Sequence, residues 1–179
     1  MKKKHFHKKA NEWFKAVIVA GGIILFLRYF IFIPISVAGD SMSPTLTADH
    51  YIIYHPSRSI ERFDIVLFYD SQGEAYLKRV IGLPGETLVY ESDQLYINGN
   101  VIPEPYLEQN RKNNQLLTPD FTLESLVGVS SIPEDSYFVM GDNRPRSKDS
   151  RMFGFVPQQS IKGKASMVIY PFDSLAVIR

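Results

Sequence analysis

One stretch of the chain is almost purely apolar, and the body after it alternates. From Ala16 to Ile33 the sequence reads AVIVAGGIILFLRYFIFI, 18 residues with one charge, Arg28. A helix of about 20 residues crosses a bilayer core. Trp13 and Phe14 extend the run to that length, with Trp13 suited to an interface and Lys15 able to snorkel. An arginine at mid-membrane costs roughly 2.5–3.5 kcal/mol on insertion scales. Arg28 lies only five residues before Ile33, within reach of the outer interface. The pattern predicts a basic cytoplasmic tail over 1–12, one transmembrane anchor over 13–33 and an extracytoplasmic body over 34–179. A cleavable secretion signal is the rival reading, with Ser36-Val37-Ala38 as its small-x-small site. Its apolar core would normally be about 7–15 residues, shorter than this run. A soluble buried helix is a third reading.

Pro34 ends or redirects the helix because it lacks the N–H of the next turn. Beyond it come short runs rich in β-branched and aromatic residues: YIIYH at 51–55, FDIVLFY at 63–69 and EAYLKRVIG at 74–82. TLVY at 87–90, QLYI at 94–97 and a strand at 100–102 follow, with Asn98-Gly99 as a hairpin turn. Pro84-Gly85 marks another turn. Residues 103–131 are less regular and read as a small excursion. Strand character resumes in SYFVMG at 136–141, FVP at 155–157 and GKASMVIY at 163–170. Many short strands without alternating helices exclude a doubly wound sheet. The expected class is mainly β, antiparallel and partly barrel-like, preceded by one transmembrane helix.

Charge sharpens the topology. Residues 1–33 carry a net +6 and residues 34–179 a net −5, although the whole chain is near neutral at +1. The basic end holds the N-terminus in the cytoplasm. The mildly acidic body offers no broad surface for nucleic acid. There is no cysteine, so thiol catalysis, disulfides and cysteine-ligated zinc are excluded.

Three polar segments carry candidate chemistry. In GDSMSPTL at 39–46, Gly39 permits close backbone approach and Pro44 restricts the chain just past Ser41. A serine held on such a turn beside backbone N–H donors suits a nucleophile, although most such serines are turn residues. In YLKRVIGLPG at 76–85, strand alternation puts Tyr76, Lys78 and Val80 on one face and Leu77, Arg79 and Ile81 on the other. Desolvation favours a neutral amine, the form that accepts a proton, whereas a snorkelling lysine is the bland alternative. Arg79 stays protonated and calls for a carboxylate. The third segment, GDNRPRSKDSRMFG at 141–154, is either a wet loop of local ion pairs or a network that positions a catalytic group.

Other chemistries fit worse. A Ser–His–Asp triad would need His50 or His55, because His5 and His7 precede the anchor. No HExxH, tight metal-ligand cluster or GxxxxGKS/T loop is present. Asp142 and Asp149 as an acid dyad would be opposed by the arginines around them.

Taken in this order behind an apolar N-terminal segment, SMSPTL, RFDIVLF at 62–68, YLKRVIGLPGE at 76–86 and GDNRPRSKDSRMFG resemble bacterial type I signal peptidases. The likeness is to the short Gram-positive, single-anchor form. The resemblance implies Ser41 as nucleophile, Lys78 as general base and Ser147 as the hydroxyl that orients the lysine. It also implies that Asp149 and Arg151 brace the loop with Arg79 in the same network, and that Asp142 and Asn143 are structural. Some members place an oxyanion-donating serine where this chain has Gly39, so the oxyanion hole would rely on backbone N–H groups.

The activity so implied is cofactor-free removal of signal peptides from exported preproteins after small residues, at the outer face of the cytoplasmic membrane. Partners would be preproteins and membrane lipids, with the secretion translocon close by. A different Ser/Lys peptidase is one alternative, though a self-cleaving repressor would need a DNA-binding domain that residues 1–33 do not supply. An inactive membrane-tethered homologue is the other, yet Ser41 and Lys78 are both present.

Overall fold

The computed structural model describes residues 12–23, 33–111 and 117–178. The chain divides into two units, Met1–Ile33 and Pro34–Arg179. In the first, residues 12–23 form a helix, α1, whose Trp13, Phe14, Val17, Ile18, Val19 and Ile23 are exposed. Among the described residues no helix is long and apolar enough to cross a membrane. Residues 24–32, nearly half of the expected anchor, lie outside the described residues, as does most of the basic tail.

The second unit is built on antiparallel strands. Its larger sheet contains β1 (Ile33–Ser36), β2 (Tyr51–His55), β3 (Ile65–Tyr69), β4 (Ala75–Gly82), β9 (Ser136–Met140), β10 (Val156–Pro157), β11 (Ile161–Tyr170) and β12 (Ala176–Val177). Their order is β1-β2-β11-β3-β4-β9-β10, with β12 beside β11. A smaller sheet orders β7 (Asn100–Ile102), β6 (Gln94–Ile97), β5 (Leu88–Glu91) and β8 (Phe121–Thr122). The expected mainly β, antiparallel class is present. The barrel-like part is not a closed barrel: the larger sheet is an open path ending at β1 and β10.

Most strands sit within two residues of where alternation places them. Asn98 and Gly99 both take positive φ in the β6–β7 hairpin, the local condition for a two-residue turn. Pro34, expected to end a helix, lies in β1 at the sheet edge, where a missing N–H is tolerated. The excursion contains β8 and the short helix α2 (Leu123–Val127), which Thr122 and Ser125 cap reciprocally. Residues 112–116 of the excursion lie outside the described residues.

Side-chain alternation in β3 and β4 feeds different cores. Ile65 and Leu77 pack beneath the Ser41 loop with Val37, Met42, Leu46 and Ile52. Val66, Phe68 and Val80 pack on the opposite face with Tyr137, Val139 and Val156. A third cluster joins the sheets, bringing Ile81, Phe138 and Met140 against Leu88, Tyr90, Leu95 and Ile97. Arg62 and Glu86 tie the start of β3 to the Pro84-Gly85 turn. Arg62 donates to the Ile81 carbonyl and to Glu86, which also accepts from the Leu83 N–H.

A fully buried ion pair links the 141–154 loop to the smaller sheet. Arg144 donates to Glu104, to the Tyr90 and Thr118 hydroxyls, and to the Gly141 carbonyl. The Tyr90 and Tyr106 hydroxyls donate to the same Glu104 oxygen. Burial beside that carboxylate pushes the Tyr90 and Tyr106 hydroxyls well above their ordinary pKa. Removing one partner from a buried pair strands the other charge. Glu104→Ala is therefore expected to lower stability by about 3–5 kcal/mol. The double variant Glu104→Leu/Arg144→Met should recover much of that loss. Urea unfolding followed by circular dichroism tests both, and wild-type stability in Glu104→Ala would contradict the assignment.

Candidate active site

The three polar segments converge at the middle of β4 (Ala75–Gly82), at Lys78 and Arg79. Ser41 lies on a turn between β1 and β2, anchored from below by buried Met42 and Leu46. Lys78 lies within β4, and the 141–154 loop begins where β9 ends. Lys78 donates from Nζ to Ser41 Oγ at 2.6 Å. Only 3% of Lys78 is exposed. Val66 sits directly across from it in β3, and the Tyr76 ring centroid lies 5.7 Å from Nζ.

That setting governs the amine. Burial disfavours the charged form and lowers the Lys78 pKa to about 8, against an opposing pull from the Asp149 and Asp142 carboxylates. Desolvation outweighs attraction because neither carboxylate forms an ion pair with Lys78; each is held by an arginine. The neutral amine is thus far more accessible near neutral pH than that of an ordinary lysine, and Nζ lies against a hydroxyl. This arrangement can deprotonate an attacking serine.

Arg79, the next residue, sets the alignment from the other face of β4. Its guanidinium forks onto Asp142, with Nε to Oδ1 at 2.9 Å and Nη2 to Oδ2 at 2.7 Å. A third donor goes to the Phe63 carbonyl. Asp142 also accepts from the Thr45 hydroxyl at 2.6 Å, on the turn just past Ser41. Asn143 completes the link: its backbone N–H donates to the Ser41 carbonyl and its side-chain amide to the Asp40 carbonyl. Asn110 bridges the Ser43 and Asp142 carbonyls. One carboxylate therefore connects the lysine strand, the serine turn and the polar loop.

The expected brace of Asp149 and Arg151 is present. Arg151 forks onto Asp149, which also accepts the Gly141 N–H and caps the short helix α3 (Ser150–Phe153). Arg79 does not join this pair directly as expected. It bonds Asp142, and the two ion pairs meet only through the backbone at Gly141. No space exists at Gly141 for a side chain: an added Cβ would collide with Ser147 Oγ and the Ser41 carbonyl. Ser147 reaches the site, but its buried hydroxyl bonds no group among the described residues, Lys78 included. Gly39 takes φ of +74°, in the left-handed region that disfavours a serine there.

Sequence reasoning missed Thr45, Asn110 and Glu104. Thr45 stood inside SMSPTL and was open to notice. Asn110 and Glu104 come from the irregular excursion, where no periodicity marks a partner. A groove of 340 Å³ opens beside Ser41 and Lys78, with Ile35, Val37, Leu67 and Leu77 among its walls.

Comparison with known proteins places the chain in a family. The family model described as "Signal peptidase, peptidase S26" matches residues 10–170. A signal peptidase I of Bacillus caldolyticus is 41% identical, covering 98% of this chain and 97% of that relative. Signal peptidase I S of Bacillus subtilis is 40% identical over 98% of both chains. A crystal structure of a signal peptidase I from Enterococcus faecalis is 49% identical, with a TM-score of 0.57, covering 59% of this chain and 96% of that one. With a matched family model and near-full-length relatives, the chain belongs to the signal peptidase family, peptidase S26, and is a serine endopeptidase.

Proposed function

We propose that the chain removes signal peptides at the outer face of the cytoplasmic membrane, cleaving after a small residue with Ser41 as nucleophile and Lys78 as general base. The observation that carries this reading is the 2.6 Å contact between Lys78 Nζ and Ser41 Oγ at an amine almost sealed from water. Neutral Lys78 takes the Ser41 proton as Oγ attacks the scissile carbonyl. The Ser41 backbone N–H donates to the developing oxyanion, since Gly39 offers no hydroxyl. The resulting ammonium returns its proton to the leaving amine, and Asp142 and Asp149 favour it electrostatically while it exists. The unpaired Ser147 hydroxyl supplies an acceptor for it. With the signal peptide held as an acyl-enzyme, Lys78 then activates water to release it.

Substrate placement follows from an unpaired edge. β9 pairs with β4 at Arg79, Val80 and Gly82, and among the described residues no strand pairs Ala75–Lys78 on that side. An extended peptide adds main-chain hydrogen bonds there. Its first and third residues before the scissile bond enter the apolar groove, which suits small side chains. The apolar run 16–33 supports a single N-terminal anchor with a cytoplasmic basic tail. Exposed Tyr170, Phe172, Leu175 and Val177 give the β-rich unit an apolar corner suited to a lipid surface near the translocon.

Ser41→Ala and Lys78→Ala are each expected to lower preprotein cleavage at least about 1,000-fold. Gel-based processing of a preprotein by the full chain measures this, and near-normal turnover by either variant would contradict the dyad. The pH profile gives a separate check. Because the base is the deprotonated amine, kcat/KM should rise with pH through an apparent pKa near 8 and level off above it. A profile flat from pH 6 to pH 9, about a unit or more on either side, would contradict Lys78 as the base.

A further inference from the structure

The bare edge of β4 faces two cavities rather than one. A strand laid along Ala75–Lys78 directs alternate side chains to opposite faces of the sheet. Leu67 and Leu77, paired in register, line the groove on the first face. Phe68 and Tyr76, also paired in register, point to the second face. There a separate cavity of 490 Å³ is walled by Phe68, Tyr76, Phe153 and Phe155, with Lys148 at its mouth. Tyr76 and Lys148 line both cavities and form the joint between them.

The second cavity has the chemistry of an aromatic receptor. Phe68 and Tyr76 stack with centroids 5.6 Å apart, and Phe153 meets both rings at 6.0 and 6.1 Å. Phe153 is 37% exposed, so part of this aromatic surface faces solvent. Lys148 Nζ lies 5.8 Å from the Tyr76 centroid and 3.4 Å from its hydroxyl. It forms no ion pair among the described residues. The acids nearby are engaged: Asp70 accepts the Gln72 and Glu74 N–H groups, and Glu74 accepts the Tyr76 hydroxyl.

We propose that this aromatic cleft is the subsite for the second residue before the scissile bond, and that it selects a large aromatic side chain there. The inference rests on the substrate placement given above. With the first and third residues directed to the Leu77 face, the second must turn to the Tyr76 face. A ring entering the cleft covers Phe153 and meets the Lys148 ammonium in a cation–π contact. Specificity in this chain is then two-faced, with small residues on one side of the substrate strand and a large one on the other.

The test uses the full chain in detergent micelles and peptides that differ only at the second residue before the cleavage point: Ala, Leu, Phe, Tyr, Asp or Lys. The expected kcat/KM for Phe and Tyr is about 10-fold above Ala. Phe153→Ala is expected to bring the Phe-to-Ala ratio below about 3, and Lys148→Gln to reduce it about 2-fold. Because the readout is a ratio within one variant, partial loss of folded enzyme cancels. All six peptides cleaved within about 2-fold by the wild type would overturn the subsite while leaving the Ser41 reading intact. An aromatic preference that survives both substitutions would overturn its assignment to this cleft. Cleavage persisting in Ser41→Ala would instead overturn the underlying reading.

Discussion

Arg79 and Asp142, distant in sequence, meet in a two-bond fork with both side chains all but sealed from water. Position 79 is one peptide bond from Lys78, and position 142 is one from Asn143, which holds the Ser41 carbonyl. The fork therefore fixes the register of the lysine strand against the loop that fixes the serine. A bidentate guanidinium–carboxylate pair resists sliding and tilting in a way that a single hydrogen bond does not. Thr45 adds a contact from the serine turn to the same carboxylate. With Asp142 removed, a buried guanidinium would lose its counter-charge and three segments their common anchor.

The same fork explains how Lys78 remains usable as a base. Two carboxylates near an amine ordinarily raise its pKa, and here both pull in that direction. Each, however, is neutralised by its own arginine, Asp142 by Arg79 and Asp149 by Arg151. What remains is the cost of burying the amine among Val66, Tyr76 and Val80, and that cost prevails. Arginines thus hold the loop together and at the same time keep its acids from recharging the lysine. The Arg144–Glu104 pair extends the scaffold, tying the loop to the smaller sheet through groups that touch neither Ser41 nor Lys78.

Alternation of apolar and polar residues was enough to locate most strands of the larger sheet and the Asn98-Gly99 hairpin. It missed β1, β8, β12, α2 and α3, which are two to five residues long and owe their form to neighbours and caps rather than to period. The site was legible in kind: a serine turn, a lysine strand and an arginine-rich loop. The Asp149–Arg151 pair was implied by the resemblance, but that Arg79 meets Asp142 in a separate pair was not, since only the fold brings those two together. Asn110 and Glu104 were silent because their partners lie 32 and 40 positions away. Residues 24–32 of the anchor expected over 13–33 lie outside those described.

Everything depends on a lysine amine whose pKa burial lowers far enough for its neutral form to be reached beside a serine hydroxyl. The most direct test is a nuclear magnetic resonance titration of Lys78 in the full chain, labelled at lysine Cε and assigned by comparison with Lys78→Arg. The account predicts a single titration with midpoint near 8. A midpoint near the ordinary lysine value, about 10.4, would mean a solvated ammonium and would contradict it.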